Sequence, residues 1–383
     1  MRTGTAADPV RDGDAMKIRA VELIRVTMPL VAPFRTSFAV ETNRDVLLVR
    51  VETAEAQGWA ECVAMDSPLY SSEYLDGAQQ VISDHLLPRL FAADELSGAA
   101  VGGLLAPVRG HRMAKSAVET AVLDAELRAM GMPLSQYLGA TATEVVSGVS
   151  VGIQDTVPEL LDAVEEYLDA GYARIKLKIE PGWDLAPVAA VRERFGEDIV
   201  LQVDANSAYH RADARHLAQL DTFGLLLIEQ PLAEEDLAGN VELAKVIRTP
   251  ICLDESIVSA QAAYEAIRTG ACAIVNIKPG RVGGYLESRR IHDVCAAAGI
   301  PVWAGGMLET GIGRAANLAL AGLSNFTLPS DISASDRYYA QDLTEPITMT
   351  GGRVAVPTGP GIGIDPIPEV VTELTTARTV IQP

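Results

Sequence analysis

The sequence predicts an α/β protein in which a (β/α)8-type TIM barrel follows an N-terminal α+β domain. Two observations predict the barrel. Short, continuously apolar runs alternate with amphipathic helical segments, as expected for parallel strands that are buried on both faces. Five consecutive runs also end in an ionisable residue, one for each β/α unit. An open, doubly wound sheet would spread these residues along an edge, whereas a barrel brings them to one rim, so the barrel is the better interpretation.

Eight apolar runs supply the predicted barrel strands, and the last of them is the weakest. They lie at residues 145–153, 173–179, 198–205, 224–230, 250–255, 273–278, 300–305 and 325–330. Several of the helical patterns between them end in Gly, the residue favoured just after a helix C-terminus. Eight such units over roughly 200 residues fit a closed barrel.

The N-terminal domain is predicted from strand-like segments that are followed by helical ones. Residues 17–30 and 44–64 have strand-like patterns, the second with a polar turn inside it. Residues 71–92 and 111–130 have apolar residues at helical spacing. A chain of 383 residues is long enough for one large barrel and a smaller partner domain.

The predicted division of the chain has three structured parts. A capping domain covers 16–140, the barrel covers 141–345, and a C-terminal segment at 346–383 returns to the capping domain. Residues 1–15 are polar and lack the apolar core of a signal peptide, so we expect a disordered leader there.

Charge and cysteine content limit the function classes. The net charge is −20, from 31 Lys and Arg against 51 Asp and Glu, which disfavours nucleic acid and anionic membranes as partners. The longest uncharged stretch, near 96–108, is too short and too rich in Gly to span a bilayer. None of the four cysteines forms a C-x-x-C pair, so reduced thiols in a cytoplasmic protein are the expectation.

The ionisable residues that end the five runs are the candidate active site. They are Lys178, Asp204, Glu229, Asp254 and Lys278, spaced 26, 25, 25 and 24 residues apart. Three carboxylates on adjacent strands suit one hard divalent cation, Mg2+ or Mn2+. Without a cation they would repel one another, and at least one would be protonated.

The two lysines point to proton transfer next to a substrate carboxylate. They lie four strands apart, hence across the barrel, and would approach a substrate from opposite faces. A cation on the carboxylate stabilises the enediolate that forms when the α-proton leaves. Two bases then allow racemisation, whereas one base with a lysine as electrostatic partner allows syn elimination of water.

Lys176 faces the same side as Lys178. We expect clustered cations and a metal to lower a lysine pKa from about 10.4 towards neutrality, and Arg281 to act similarly on Lys278.

Seven barrel motifs and two N-terminal ones carry a family resemblance that extends over nearly the whole chain from Met16. They are KLKIEPGWD (176–184), VDAN (203–206), IEQPL (228–232), CLDES (252–256), NIKPGRVGG (276–284), GGMLETGIGRAAN (305–317), PSDISASDRYY (329–339), PLVAPFRTSF (29–38) and DSPLYSSEY (66–74). Together they resemble the muconate-lactonising branch of the enolase superfamily, and more narrowly its o-succinylbenzoate synthase / N-acylamino acid racemase family.

The resemblance implies a (β/α)7β barrel, a capping domain that closes its mouth and a homo-oligomer. It implies metal ligands at Asp204, Glu229 and Asp254 and acid/base lysines at Lys178 and Lys278. Supporting charged and polar groups are expected at Lys176, Asn206, Glu255 and Arg281. Substrate contacts are expected at Phe34, Met65, Tyr70, Ser150, Gly306, Leu308 and Tyr338.

The departures from the family pattern leave the substrate open. Tyr338 stands where relatives are expected to have Phe, and Leu308 where Ile is common. Ordinary packing is an alternative role for Phe34, Met65 and Tyr70. The small-molecule carboxylate substrate is therefore not specified further by these residues.

Several functions remain open at this point. The first hypothesis is o-succinylbenzoate synthase, a step of menaquinone biosynthesis, with N-succinylamino acid racemase activity alongside or instead. Dipeptide epimerase and muconate cycloisomerase are alternatives within the superfamily, and a catalytically silent binding barrel is an alternative of another class. The sequence GVSVG (148–152) fits the hydrolase motif G-x-S-x-G, but its strand continues past the serine, which disfavours a nucleophile elbow.

Overall fold

A four-stranded antiparallel sheet opens the fold. The computed structural model describes residues 16–383, so the leader expected at 1–15 lies outside the described residues. Three of the strands are β1 (Ala20–Arg35), β2 (Val40–Glu52) and β3 (Gln57–Cys62). The fourth comes from the C-terminus of the chain and pairs with β1.

Five helices follow this sheet. They are α1 (Leu75–Val81), α2 (Leu87–Phe91), α3 (Gly98–Leu105), α4 (Arg112–Met130) and α5 (Leu134–Leu138), with a π-helical turn between α1 and α2. The long helix α4 packs against β3, and Gly58 makes this close approach possible, because a Cβ atom there would overlap the backbone of Ala121 and Ala125.

The barrel predicted from the sequence is confirmed, with seven strands in place of eight. After the short strand β4 (Glu144–Val146), these strands follow in chain order. They are β5 (Val149–Val151), β6 (Ile175–Lys178), β7 (Leu201–Asp204), β8 (Ile228–Glu229), β9 (Ile251–Leu253), β10 (Ile274–Ile277) and β11 (Val302–Ala304), all parallel. The run at 145–153 was predicted as one strand, which is wrong: it divides into β4, outside the barrel, and β5.

The eighth predicted strand, at 325–330, is also wrong. This segment contains Pro329, which has no N–H to donate to a ladder. It instead makes isolated bridges from Phe326 to Val302 and from Ser330 to Ser147. Because these bridges reach β11 on one side and the residues before β5 on the other, the irregular segment spans the two edges of the sheet and closes the barrel.

Helices follow the barrel strands. They are α6 (Val157–Asp169), α7 (Leu185–Phe195), α8 (Ala214–Leu217), α9 (Leu237–Leu243), α10 (Ala260–Thr269), α11 (Pro279–Val282), α12 (Tyr285–Ala297) and α13 (Gly311–Ala321). Thr156 and Glu159 form a capping box at the start of α6. Gly196 and Gly270 stand at the C-caps of α7 and α10, as their helical patterns predict.

The C-terminal residues connect the barrel with the N-terminal sheet. Strands β12 (Met349–Thr350) and β13 (Arg353–Ala355) form a small antiparallel sheet with β4. Helix α14 (Pro368–Leu374) then leads into β14 (Thr375–Ile381), the strand that pairs with β1. The domain boundaries at 140/141 and 345/346 stay predictions.

The two largest apolar cores of the described chain lie one in the barrel and one in the N-terminal part. The larger one lies mainly between the barrel strands and their helices, and the second lies between the N-terminal sheet and α1–α4. From residue 16 onward, no helix combines the length and the apolar character needed to cross a membrane.

Candidate active site

The structure brings the five candidate residues to one rim of the barrel. Lys178, Asp204 and Glu229 are adjacent in register at the carboxyl ends of β6, β7 and β8. Asp254 directly follows β9, and Lys278 directly follows β10. All five side chains are buried. The rim arises because each β/α unit returns the chain to the same end of the barrel.

Lys178 forms one half of the site. Its Nζ atom donates to Oδ2 of Asp204 and to Oδ1 of Asn206, both at 2.6 Å. The Asn206 side chain in turn donates to Oε1 of Glu255 at 2.9 Å. The ammonium group of Lys178 is therefore held by a buried carboxylate and an amide that is itself oriented.

Lys278 forms the other half, four strands away. Its Nζ atom donates to Oδ2 of Asp254 at 2.6 Å and lies 3.1 Å from the Tyr70 hydroxyl. Arg281 contacts the second oxygen of Asp254 at 3.1 Å. Tyr70 comes from the segment after β3, so the capping part of the chain contributes directly to this half.

A third lysine lies between the two halves. Lys176 Nζ lies 2.6 Å from Asp331, 3.0 Å from Glu229 and 3.2 Å from Asp204. It also lies 4.8 Å from the centre of the Trp303 ring. This one ammonium group therefore partly neutralises three buried carboxylates.

Sequence reasoning missed two polar residues of this site. Asp331 pairs with Arg174 at 2.6 Å as well as with Lys176. It directly follows the eighth apolar run, the same position that marks the other rim residues, so the pattern could have found it. Asn276 donates to Oε1 of Glu229 at 2.6 Å, and its position two residues before Lys278 on the same strand was the available signal.

The pKa values of the three rim carboxylates shift in different directions. Burial raises the pKa of Asp204, but Lys178 and Lys176 more than offset this and hold it well below its usual range. Burial opposes ionisation of Asp254 as well, yet Lys278 and Arg281 hold its pKa low. Burial and the charge of Asp204 raise the pKa of Glu229 to about 8. Glu229 thus binds its proton more tightly than its two neighbours, because it is buried beside the charged Asp204.

Without a metal, the protein groups alone raise the pKa of Lys278 and of Lys176. Burial lowers the pKa of Lys278, but Asp254, Tyr70 and Glu229 together raise it well above its usual value. Burial also opposes the charge on Lys176, yet Asp331 and Glu229 raise its pKa. The reason is that the nearest charges around each ammonium group are carboxylates.

The chemistry of the donor set fits a hard divalent cation. In the part of the chain that the structure describes, no three Asp, Glu, His or Cys side chains stand together as a preformed metal cage. Lysine ammonium groups occupy carboxylate oxygens of Asp204, Glu229 and Asp254 instead. Yet all three are buried carboxylate oxygen donors at the ends of consecutive strands, the donor type that Mg2+ and Mn2+ prefer.

A cavity lined by Lys176, Lys178 and Lys278 opens at this rim. All seven residues expected to contact substrate line it: Phe34, Met65, Tyr70, Ser150, Gly306, Leu308 and Tyr338. Further lining residues that sequence reasoning did not single out are Thr36, Phe38, Glu41, Met307 and Asp331.

The hairpin between β1 and β2 covers one side of this cavity. The Ile153 N–H donates to the Arg35 carbonyl at 2.9 Å, and the Val31 N–H donates to the Tyr338 carbonyl at 3.0 Å. The Phe34 and Tyr338 rings meet edge to face, with centres 6.1 Å apart. The capping part and the barrel thus share one cavity wall.

Two family models match the chain. The enolase C-terminal domain-like model matches residues 159–370, and the mandelate racemase / muconate lactonizing enzyme N-terminal domain model matches residues 18–139. The chain belongs to the enolase superfamily. Enzymes of this superfamily generally depend on a divalent cation and begin by abstracting a proton next to a carboxylate, and this chain is an enzyme of that kind.

Individual relatives narrow the position of the chain within the superfamily. It is 64% identical to N-succinylamino acid racemase from an Amycolatopsis species, over 95% of this chain and 99% of the relative. It is 46% identical to o-succinylbenzoate synthase from Geobacillus kaustophilus, over 92% of this chain and 94% of the relative. A solved enolase-superfamily member from Listeria innocua aligns with a TM-score of 0.92 at 39% identity, covering 96% of this chain and 99% of that one. This similarity confirms the resemblance to the synthase and racemase family.

Proposed function

We propose that one site of this enzyme catalyses racemisation of N-succinylamino acids and syn dehydration to o-succinylbenzoate. In this proposal Lys178 and Lys278 exchange protons with the substrate, and Asp204, Glu229 and Asp254 hold one divalent cation, Mg2+ or Mn2+. A single observation carries it. Two buried ammonium groups on strands four apart line one cavity, with the three carboxylates on the rim between them.

Racemisation needs one lysine on each face of the α-carbon. Lys178 as the neutral amine takes the α-proton from one face, and the Lys278 ammonium group delivers a proton to the other face. The roles reverse for the opposite enantiomer. A cation held by Asp204, Glu229 and Asp254 would supply positive charge beside the substrate carboxylate, which favours loss of the α-proton. Because its neighbours favour the charged form of Lys278, this lysine suits the role of proton donor.

Dehydration uses the same groups differently. Lys178 takes the α-proton and then returns it to the departing hydroxyl on the same face, so that water leaves. Lys278 stays charged and stabilises the intermediate through electrostatics. Since the two reactions share every protein group, the substrate and not the rim decides between them.

The cavity supports a substrate with a carboxylate at one end and an acyl or ring portion at the other. The carboxylate end would face the lysines. The other end would lie among Phe34, Leu308 and Tyr338, which also line the cavity. The Ser150 hydroxyl oxygen is buried and has no hydrogen-bond partner within residues 16–383, which favours a role in binding a polar substrate atom.

The test is a paired assay of the purified protein with Mg2+ or Mn2+. One arm follows conversion of the cyclohexadiene precursor of o-succinylbenzoate, and the other follows the optical rotation of N-succinyl amino acids. Turnover in both arms is expected. Turnover of dipeptides or of muconate in place of both would move the assignment to dipeptide epimerase or muconate cycloisomerase, and no turnover of any of these substrates would refute it.

Assembly and location belong to the same proposal. A homo-oligomer follows from the family resemblance, and size measurement in solution tests it. A cytoplasmic location is supported by the cysteines, since Cys62, Cys252, Cys272 and Cys295 are buried free thiols in the described chain. The division into capping domain, barrel and returning C-terminal segment is likewise part of the proposal.

A further inference from the structure

The segment after β11 holds one wall of the cavity in an unfavourable backbone conformation. Leu308 has a φ of 57°, in the left-handed region that residues with a branched side chain rarely adopt. Its side chain is buried and lines the cavity. Such a conformation persists only where surrounding groups over-determine it, so the groups that hold this segment also fix the cavity wall.

Glu309 makes the central contacts of this segment. Its Oε2 atom accepts from the Met307 N–H at 2.8 Å, and its Oε1 atom accepts from the side-chain amide of Asn317 in α13 at 2.9 Å. The Asn317 carbonyl oxygen in turn accepts from the Tyr285 hydroxyl in α12 at 2.8 Å. Leu308 stands between Met307 and Glu309 in the chain, so the Glu309–Met307 hydrogen bond closes a turn around it. The Leu308 carbonyl accepts from the Tyr339 hydroxyl.

A glutamate from the capping part of the chain binds the backbone at the start of α13, beside Glu309. Glu61 of β3 accepts from the backbone N–H groups of Thr310 at 3.0 Å and Gly313 at 3.1 Å, at the start of α13. The two acidic side chains flank Gly313, where a Cβ atom would lie 2.8 Å from Cδ of Glu61 and 2.9 Å from Cγ of Glu309. Glu309 is thus confined between the capping sheet, α12 and α13.

We propose that Glu309 is a positioning residue that sets the place of Leu308 and Met307 in the substrate cavity. It does not line that cavity, so it acts through the backbone it holds. The proposal rests on the proposed function, because it assigns the Leu308 wall to the acyl or ring portion of the substrate. Disturbing Glu309 should therefore affect substrate binding more than proton transfer.

The hydrogen-bond pattern can be tested by replacing the Glu309 carboxylate with an amide and the Asn317 amide with a carboxylate. A carboxylate accepts on both oxygens, and Glu309 faces two donors, the Met307 N–H and the Asn317 amide. In Glu309→Gln the side chain keeps its shape but has one acceptor and one donor, so one buried contact becomes donor against donor. We expect KM for an N-succinyl amino acid to rise roughly ten- to a hundredfold, with a smaller change in kcat.

The double variant Glu309→Gln/Asn317→Asp should restore KM to within a few-fold of the wild-type value. The amide nitrogen introduced at position 309 then donates to the carboxylate introduced at position 317. The amide oxygen at position 309 accepts from the Met307 N–H, and the Tyr285 hydroxyl keeps an acceptor. Asn317→Asp alone should be impaired, since two carboxylates would face each other. Asp221→Asn is the matched control, because it changes a carboxylate that accepts from the backbone N–H groups of Arg248 and Thr249, outside the cavity and the Glu309 network.

Thermal unfolding of each variant separates folding from positioning. If Glu309→Gln does not fold, Tyr285→Phe replaces it as the test variant. This change removes only the hydroxyl that donates to Asn317, and a KM rise of at least about threefold supports the proposal. An unchanged KM in the folded Glu309→Gln variant, or in Tyr285→Phe, overturns it, and so does failure of the double variant to recover. An inactive wild-type protein would refute the proposed function instead, which keeps the two failures distinct.

Discussion

Lys278 and Asp254 form a direct ion pair at the rim, with Nζ of the lysine 2.6 Å from Oδ2 of the aspartate. The same aspartate is a proposed ligand of the cation. The pair therefore links the proposed proton donor to the proposed metal site.

Each rim lysine should serve one enantiomer. In heavy water, Lys278→Ala should exchange the α-proton of one N-succinyl amino acid enantiomer only, because Lys178 still reaches one face. Lys178→Ala should exchange the other enantiomer. Racemisation should fall roughly 10²- to 10⁴-fold in both. Proton NMR of each pure enantiomer measures this, with the wild type exchanging both. Loss of exchange for the same enantiomer in both variants would contradict the assignment.

Metal should stabilise the folded protein through the rim carboxylates. At a free Mg2+ concentration of about 100 Kd, binding adds about 2.7 kcal/mol to the free energy of unfolding. Glu229→Gln should lose most of this gain, since it removes one anionic oxygen from the rim. Thermal unfolding with Mg2+ and with a chelator measures it. Glu119→Gln should keep the full gain, and an undiminished gain in Glu229→Gln would argue against these ligands.

Arg281 should matter more for racemisation than for dehydration. Its contact with Asp254 lies beside Lys278, and only racemisation requires that lysine to transfer a proton. Arg281→Gln should therefore lower kcat/KM for an N-succinyl amino acid by more than it lowers kcat/KM for the dehydration substrate. The two assays on one preparation provide the comparison. Equal losses in both would remove the proposed tuning role.

Stability should depend on pH through Glu119. Burial raises the pKa of this carboxyl from 4.5 to about 7 in the folded protein. The folded state therefore binds the proton more tightly than the unfolded state. The stabilising contribution is complete below pH 4.5 and is lost as pH rises towards 7. Over that window the wild type should lose up to about 3 kcal/mol of unfolding free energy relative to Glu119→Gln.

Denaturant unfolding from pH 4.5 to 8 measures this difference between wild type and Glu119→Gln. Glu373→Gln, which changes an exposed glutamate in α14, is the control and should follow the wild type. Parallel curves for wild type and Glu119→Gln would show that the buried carboxyl does not titrate in this range.

The residues of the barrel rim were predictable because they recur once in each strand-and-helix unit, a short stretch of sequence. One strand and one helix take 24 to 26 residues between successive rim positions, so spacing alone placed Lys178, Asp204, Glu229, Asp254 and Lys278 together. The eighth strand was not predictable in the same way. Residues 325–330 have an apolar pattern, but Pro329 and the contacts of Ser330 and Phe326 with the two sheet edges leave them irregular.

The sequence by itself determined the alternation of strands and helices, and with it the residues that reach the mouth of the barrel, because hydrophobic pattern and turn chemistry act over short stretches of chain. Only the tertiary structure decided what those residues contact. Lys176 contacts Asp331, Lys278 contacts Tyr70, and Glu61 accepts from the backbone N–H of Gly313. Charge, acidity and backbone strain at the site depend on such distances between remote residues, which no local pattern encodes.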